Sequence, residues 1–508
     1  MSSHLKALPI ILAAALLLFW IAGLAWPGLA REGEIRRLRW AFILVTVIAF
    51  VSPSIWVYAL AMPVVVLAFL LPGGERAERA ATLWALLLLA VPNVGSYIPG
   101  FGSIGNFFEM THSRALSFAL LLPTVVLMPR GPRRPGPLGM VTDWFVLAYF
   151  AVQLAVLLPY ASRTDLIRQA FVLAIDTLLP YWVFSRAFGS IDGLRGALRA
   201  YVLTAMLLSV LAMFESVRRW PLYDAVPVGW NLYWDLTVFL ERAGFLRAKA
   251  SAGHSLMFGF VLVLALGFWG IVRTDVRHRG LAWLGTLALL GGLAASLARG
   301  SWLGAVLLFV LLIVLGEGGL KRLLLFGIGA VGFVAVASQV SALHFVVDML
   351  PFIGQVDAEN VEYRKRLLEI SMSLIAGSPW LGVPGYLNYM EELRQGQGII
   401  DIVNSYVAIA LATGVIGLAC FVGIFGSMMG SLWRLRRDPE VSADSRQLAN
   451  YLIATTLAVM FVLVTTSSIV VVPQLCYMLA GLGVSSARLL RPERRSAAEL
   501  GALVGVHR

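Results

Sequence analysis

Uninterrupted apolar stretches of about twenty residues recur along this chain, and no other feature narrows its possible folds as much. Ala7 to Ala30, Met140 to Tyr160, Ser255 to Val272 and Leu281 to Ala298 are four of them. In water such segments would expose more apolar surface than one core can cover, whereas in a bilayer each is stable as a helix that satisfies its own backbone groups. Composition agrees, since 59% of the 508 residues are hydrophobic and only 13% are charged. The expected fold is therefore an all-α polytopic integral membrane protein with about 13–15 transmembrane helices. The first run ends in Gly28-Leu29-Ala30, loosely like a signal-peptide cleavage site. Its length and the single Lys6 ahead of it favour a retained span.

A formal net charge of +12 raises the possibility of nucleic acid. The basic residues, however, form short clusters between apolar runs, with no stacking aromatics among them, and so read as the positive-inside pattern of a membrane protein rather than a nucleic-acid face. The clusters are Arg36, Arg37 and Arg39; Arg76 and Arg79; Arg130, Arg133 and Arg134; Arg195 and Arg199; Arg273, Arg277 and Arg279; Lys321 and Arg322; Arg434, Arg436 and Arg437; and Arg488 to Arg495. With all of them in the cytoplasm, the outer loops fall near 93–113, 161–167, 217–253, 299–301 and 341–401. The carboxy terminus is then cytoplasmic, and Ser52-Pro53 leaves the side of the amino terminus open. The chain divides into amino-terminal spans (1–216), a core of spans with the 217–253 loop and the Arg299 turn (217–340), a large partly helical periplasmic loop (341–401), carboxy-terminal spans (402–490) and a tail (491–508). Cys420 and Cys476 lie inside apolar runs and read as core residues.

The loop 341–401 is the one long polar interruption, with eight acids and four Lys or Arg. A helix is expected over Asp357–Ala376, with Glu362 pairing with Arg366 and Lys365 with Glu369 at i,i+4. Arg364 has Asn360 and Leu368 at those spacings, so no local acid satisfies it. The Gly- and Pro-rich stretch 377–386 must leave the helix. Asp401 precedes the next span and reads either as a helix N-cap or as a chemical group.

Elsewhere, Asp176 sits in the middle of an apolar run, where it needs a function or a buried partner. The loop 93–113 is expected to be irregular, and Leu232–Leu246 to form an amphipathic helix in the headgroup plane. Arg247 and Lys249 lead to His254 at a helix start; that histidine is either a cap or part of an anion site. Arg299 breaks the charge rule in an outer turn, beside Gly300 and Ser301. It either snorkels to lipid phosphate or binds a ligand phosphate.

Four segments together resemble the O-antigen ligase and O-antigen polymerase superfamily of membrane glycosyltransferases: Arg247 to His254, the turn Leu297 to Ser301, the Arg364 helix with Ser378-Pro379-Trp380-Leu381-Gly382, and Asn404-Ser405-Tyr406 with Gly414-Val-Ile-Gly417. The resemblance implies a GT-C-like fold in the bacterial inner membrane with its site facing the periplasm. It also implies metal-independent inverting transfer from an undecaprenyl-diphosphate-linked oligosaccharide to a glycan or lipid acceptor, without a cofactor. Arg299, Arg364 and Arg247 match the diphosphate-binding positions, with Ser301, Asn404, Tyr406 and Lys249 as substrate contacts. The sequence departs from the family pattern at Val403, where the family usually has His. Asp401, His254, Glu391 and Glu392 remain as candidate bases, and the loss of that histidine, a hallmark of the ligases, favours a polymerase. The alternatives are a ligase delivering finished glycan to a lipid or protein, and, from another class, a transporter or flippase using Asp176.

Overall fold

The computed structural model describes residues 3–31, 33–70, 76–100, 105–128, 140–232, 240–242, 244–316, 319–337, 339, 358–394 and 400–491. Asp348, Asp357, Tyr233, Trp234, the cluster Arg130, Arg133 and Arg134, and the tail beyond 491 lie outside the described residues. The chain is mostly helical. Among the described residues, five helices are long and apolar enough to cross a membrane: Ala7–Ala25, Arg163–Arg186, Ile191–Arg218, Ser255–Asp275 and Ser405–Arg437. Shorter apolar helices, including Val141–Leu157, Arg279–Ala295 and Arg299–Leu315, pack against them.

Burial separates the inner helices from the outer ones. Ser255–Val272 is enclosed along nearly its whole length, and its Gly259, Gly267 and Gly270 are approached closely by Ser301, Thr455 and Tyr451. Small residues let helix backbones come together where the solvent is lipid. Ala7–Ala25 instead buries Ala7, Ile11, Ala15, Phe19 and Ala22, and turns Leu16, Leu17 and Trp20 outward. An apolar exterior of this kind is what a bilayer requires.

Two charge pairs lie inside the bundle. Asp176, in a π-helical turn over Ala174–Leu178, lies 2.8 Å from Arg114 and accepts from Gln474 Nε2 at 3.0 Å. Of the two readings of Asp176, the structure supplies the buried partner. Asp143 likewise meets Arg186 at 2.8 Å and the Tyr181 hydroxyl at 2.6 Å.

Two outer segments differ from expectation. Residues 93–113 contain an antiparallel hairpin of Gly95–Pro99 with Asn106–Thr111, anchored where Phe108 packs on Phe171 at 5.0 Å between centroids. The described end of the segment expected to be an in-plane helix is also a hairpin, Glu241–Arg242 with Phe245–Leu246. Gly244, at φ 80, supplies the left-handed residue that so tight a turn needs.

The helix expected in the large loop forms at Ala358–Gly377. Its seat is a break in the neighbouring span. Ser405–Arg437 has 33 residues, about 50 Å of helix, while Ala443–Val462 has 20, about 30 Å. The two nevertheless meet at both ends: Ser405 N–H donates to Leu463 O at 3.0 Å, and Arg446 Nη2 donates to Asp438 O at 3.3 Å. The longer helix accommodates the excess by bending at Gly414, whose φ of 65 and ψ of −168 are not helical.

A break inside a span leaves backbone groups that lipid cannot satisfy. Here the turn after the loop helix satisfies them. Val415 N–H donates to Pro379 O at 2.8 Å, Ile416 N–H to Trp380 O at 3.4 Å, and Val383 N–H to Leu411 O at 2.7 Å. Gly382, at φ 73, and Gly414 permit the approach: a Cβ on the first would lie 2.5 Å from Leu411 O, and one on the second 2.2 Å from Trp380. Gly382→Ala or Gly414→Ala should therefore destabilise this interlock by about 2 kcal/mol or more. The expected readout is a lower melting temperature in detergent and faster proteolysis within 358–394, with helix content retained.

Candidate active site

Residues 247–254 form a strap fixed at short intervals. Arg247 N–H donates to Leu240 O at 2.8 Å and Ala248 N–H to Ala295 O at 3.0 Å, while the Ser251 hydroxyl donates to Leu89 O. Between them Ala250, at φ 44, donates its N–H to Glu215 Oε2 at 3.0 Å. The other Glu215 oxygen accepts from Leu222 N–H at 2.9 Å, so one buried carboxylate ties two turns together. Lys249 is buried against Asp224 at 2.9 Å. Burial pushes the Asp224 carboxyl up, and Lys249 pulls it back.

This strap brings Arg247 within electrostatic reach of three other guanidinium groups. Burial lowers Arg247 to a pKa of about 10, and Arg242, Arg364 and Arg299 each add to the effect. The group remains a cation at neutral pH. Arg299 is the first residue of its helix, where the partial positive charge of the amino terminus adds to its own. Arg364 is exposed on the loop helix. Arg242 was not singled out from the sequence, where it lay in an expected surface helix; its Nη1 donates to Leu297 O at 2.9 Å, holding the hairpin against the Arg299 turn.

Asp401 is tied to the helix that carries Arg364. Its backbone N–H donates to the Tyr363 hydroxyl at 3.2 Å, which donates back to the Asp401 carbonyl at 3.3 Å; Tyr363 precedes Arg364. The Asp401 carboxylate accepts from the Ser467 hydroxyl at 2.7 Å. Asp401 is not the helix cap. Asn404 is, accepting from Tyr406 N–H at 3.0 Å and Val407 N–H at 3.2 Å. Tyr406 donates its hydroxyl to Met460 O at 2.8 Å, and Ser301 is 1% exposed against Gly259. Glu391 is ion-paired with Arg394 at 2.6 Å, which holds its carboxyl low. Glu392 meets Arg366 at 2.8 Å, so Arg366 reaches across to another segment instead of pairing with Glu362.

His254 caps the helix Ser255–Val272, its Nδ1 accepting from Leu256 N–H at 3.1 Å. A neutral imidazole whose Nδ1 is an acceptor carries its proton on Nε2. That nitrogen is then a hydrogen-bond donor without a lone pair for a substrate proton. Burial, with Arg247 and Lys249 beside it, lowers its pKa to about 4.

At the other end of the bundle, Arg37, Arg79, Arg199 and Arg277 meet Glu34 and Asp275 around a cavity of about 1020 Å³. Four of the separate basic clusters thus share one face, and the Arg247 group lies away from it.

Residues 284–422 match the family model described as O-antigen ligase. The chain therefore carries a domain of the O-antigen ligase family. Curated proteins gave no match. The matched range contains Arg299, Arg364, the turn 378–382, Asp401, Asn404 and Gly414, and leaves Arg247 and His254 outside it. The matched domain and the apolar helices support a membrane protein of the O-antigen ligase and polymerase type, a family that implies lipid-linked glycan and acceptor substrates.

The histidine gives a pH prediction. Because its folded pKa of about 4 lies below the ordinary 6.5, the unfolded chain binds the proton first. Its contribution to stability is fully present above 6.5 and is lost as pH falls towards 4, by about 2 kcal/mol at pH 5. His254→Asn, which keeps a capping acceptor, should lose less stability between about pH 7 and pH 5 than the native protein, measured by thermal unfolding in detergent.

Proposed function

We propose that this chain is a metal-independent inverting glycosyltransferase, GT-C-like and with about 13–15 spans, that polymerises undecaprenyl-diphosphate-linked glycan at the periplasmic face of the bacterial inner membrane. The observation that carries this reading is the convergence of Arg247, Arg299 and Arg364, joined by Arg242, from four separate segments. Guanidinium binds phosphate oxygens bidentately and stays charged. In the reaction, an acceptor hydroxyl attacks the anomeric carbon, the bond from that carbon to the diphosphate oxygen breaks, and the arginines take up the developing charge. The hydroxyl proton passes to a base.

Asp401 is the best-placed base. Glu391 and Glu392 are held in exposed ion pairs, and the His254 cap leaves an N–H donor, suited to a phosphate oxygen. Lys249 meets Asp224, Ser301 is buried against Gly259, and Asn404 and Tyr406 bond to backbone groups, so in this reading the four hold the scaffold in place. A second reading, transfer of finished polymer to a lipid or protein acceptor, is favoured by the match to the O-antigen ligase family.

Arg299→Ala or Arg364→Ala should reduce chain growth by about 100-fold or more, as should Asp401→Asn, while Glu391→Gln with Glu392→Gln stays near the native rate and chelator has no effect. Product length from purified protein and an undecaprenyl-diphosphate repeat unit measures this. Single repeats in the arginine variants support a polymerase; long polymer left on its carrier supports the ligase. Normal products from both arginine variants would rule out either.

A further inference from the structure

The turn 378–382 is bonded to a membrane span and yet directs its largest apolar side chains away from the protein. Pro379 O and Trp380 O accept from Val415 N–H and Ile416 N–H of the helix Ser405–Arg437, while Trp380 and Leu381 are 66% and 52% exposed. Val415 and Ile416 are themselves 44% and 39% exposed, and Val422, two turns further on, is 50% exposed. In a helix apolar enough to cross a membrane, outward side chains of this kind face lipid. The outer surface of the turn therefore continues the lipid-facing surface of the span.

Helix length fixes the depth at which this happens. From Gly414 to Arg434 the helix rises about 30 Å, the thickness of a hydrocarbon core. Its far end is charged, with Arg434, Arg436 and Arg437 in the last turn and the Trp433 ring 4.8 and 5.1 Å from the last two guanidinium groups. With that tryptophan and those arginines at one boundary of the bilayer, the break at Gly414, and Trp380 with it, falls at the other. Tryptophan is enriched at both boundaries, where its ring meets acyl chains and its N–H meets headgroups or water. The residues before the break, 405–413, are then the part of the helix that the hydrocarbon core does not need, which accounts for its length. The loop helix carries the same surface on: Leu368 and Met372, 50% and 54% exposed, lie at i,i+4 beside a polar face of Glu362, Lys365, Arg366 and Glu369.

We propose that the turn 378–382, with Leu368 and Met372 of the helix before it, is seated in the interfacial layer of the bilayer leaflet opposite Arg434, and that ordinary bilayer lipid covers it. Continuity with the span selects this occupant. Val415, Ile416 and Val422 already require lipid, and an aqueous setting would hydrate Trp380 and Leu381 directly beside them. The seat sets the level of the helix Ala358–Gly377, and so of Arg364, against the membrane. It holds whether or not the chain transfers sugar.

The test places one nitroxide label at a time on full-length protein in which Cys420→Ala and Cys476→Ala remove the native thiols, reconstituted in phosphatidylethanolamine and phosphatidylglycerol vesicles. Label collisions with oxygen, which partitions into the bilayer, are compared with collisions with a water-soluble nickel chelate. Trp380→Cys and Leu381→Cys are the test positions, and both alter exposed side chains while leaving the backbone bonds of the turn in place. Glu369→Cys, on the polar face of the loop helix, is the reference for water, and Val422→Cys, on the span, the reference for lipid. The ratio of oxygen to nickel collisions should be severalfold higher at Trp380→Cys and Leu381→Cys than at Glu369→Cys, shifted towards the value at Val422→Cys. A raised ratio at either test position supports the seat, so that one variant suffices if the other does not fold. Ratios at both equal to that at Glu369→Cys overturn it. Exclusion of both reagents, with dipolar broadening between labels, would show a second copy of the chain on this surface and overturn it as well.

Discussion

Repulsion among Arg242, Arg247, Arg299 and Arg364 is the constraint on which the arrangement of this end of the molecule depends. Cations brought together in a partly dehydrated place are costly, and the pKa of Arg247 is lowered first by its burial and then by the three neighbouring guanidinium groups. Such a group persists only where each member is held by bonds the repulsion cannot break. That is how these four are built. Arg242 is tied to Leu297 O, Arg247 lies on a strap anchored to Ala295 and Glu215, Arg299 begins a helix, and Arg364 rides on a helix locked into the break at Gly414. In the proposed function, the diphosphate relieves this unfavourable potential on binding.

The acids around the strap show how that potential is confined. Glu215 is fully buried, and both its oxygens accept from backbone N–H groups, so its acceptor capacity is spent on shape. Asp224 cancels Lys249 at 2.9 Å. Lys249 is thereby withdrawn from the cation group, although two residues earlier in the chain Arg247 belongs to it. Along one strap, then, Lys249 turns inward to a carboxylate and Arg247 lies within reach of the other guanidinium groups.

How much of this was legible in the sequence depends on whether the relevant partners were local. The membrane class followed from apolar runs, and the loop helix was placed to within a residue at its described end, because both are patterns within a short window. Arg364 stood out because its i±4 neighbours could not pair with it, and no ion pair involves it among the described residues. The same rule failed for Arg366, which found Glu392 across a tertiary gap. Local patterning also missed the break at Gly414, since the apolar run is continuous there and the groups that make a break tolerable, Pro379 O, Trp380 O and Val383 N–H, come from a distant turn. Asp401 and Asn404 were both credible caps three residues apart. Ser467, 66 residues away, gives the carboxylate another bond, and Asn404 takes the cap.

The absence of a histidine at 403 is the sharpest chemical feature of the site, and the geometry around it narrows what can compensate. His254 cannot do so without losing its helix cap, since the lone pair it would need is already engaged by Leu256 N–H. Asp401 faces no such conflict. One oxygen accepts from Ser467, and a carboxylate has further acceptor positions. It also stands two residues before Val403 in a non-helical run, a spacing that in extended backbone returns a side chain to the same face. Moving the base from 403 to 401 therefore places a carboxylate, which needs no neighbouring acid to fix a tautomer, where the loop helix pins it through Tyr363 beside Arg364. In the proposed function, the helix that carries Arg364 would then also set the position of the base.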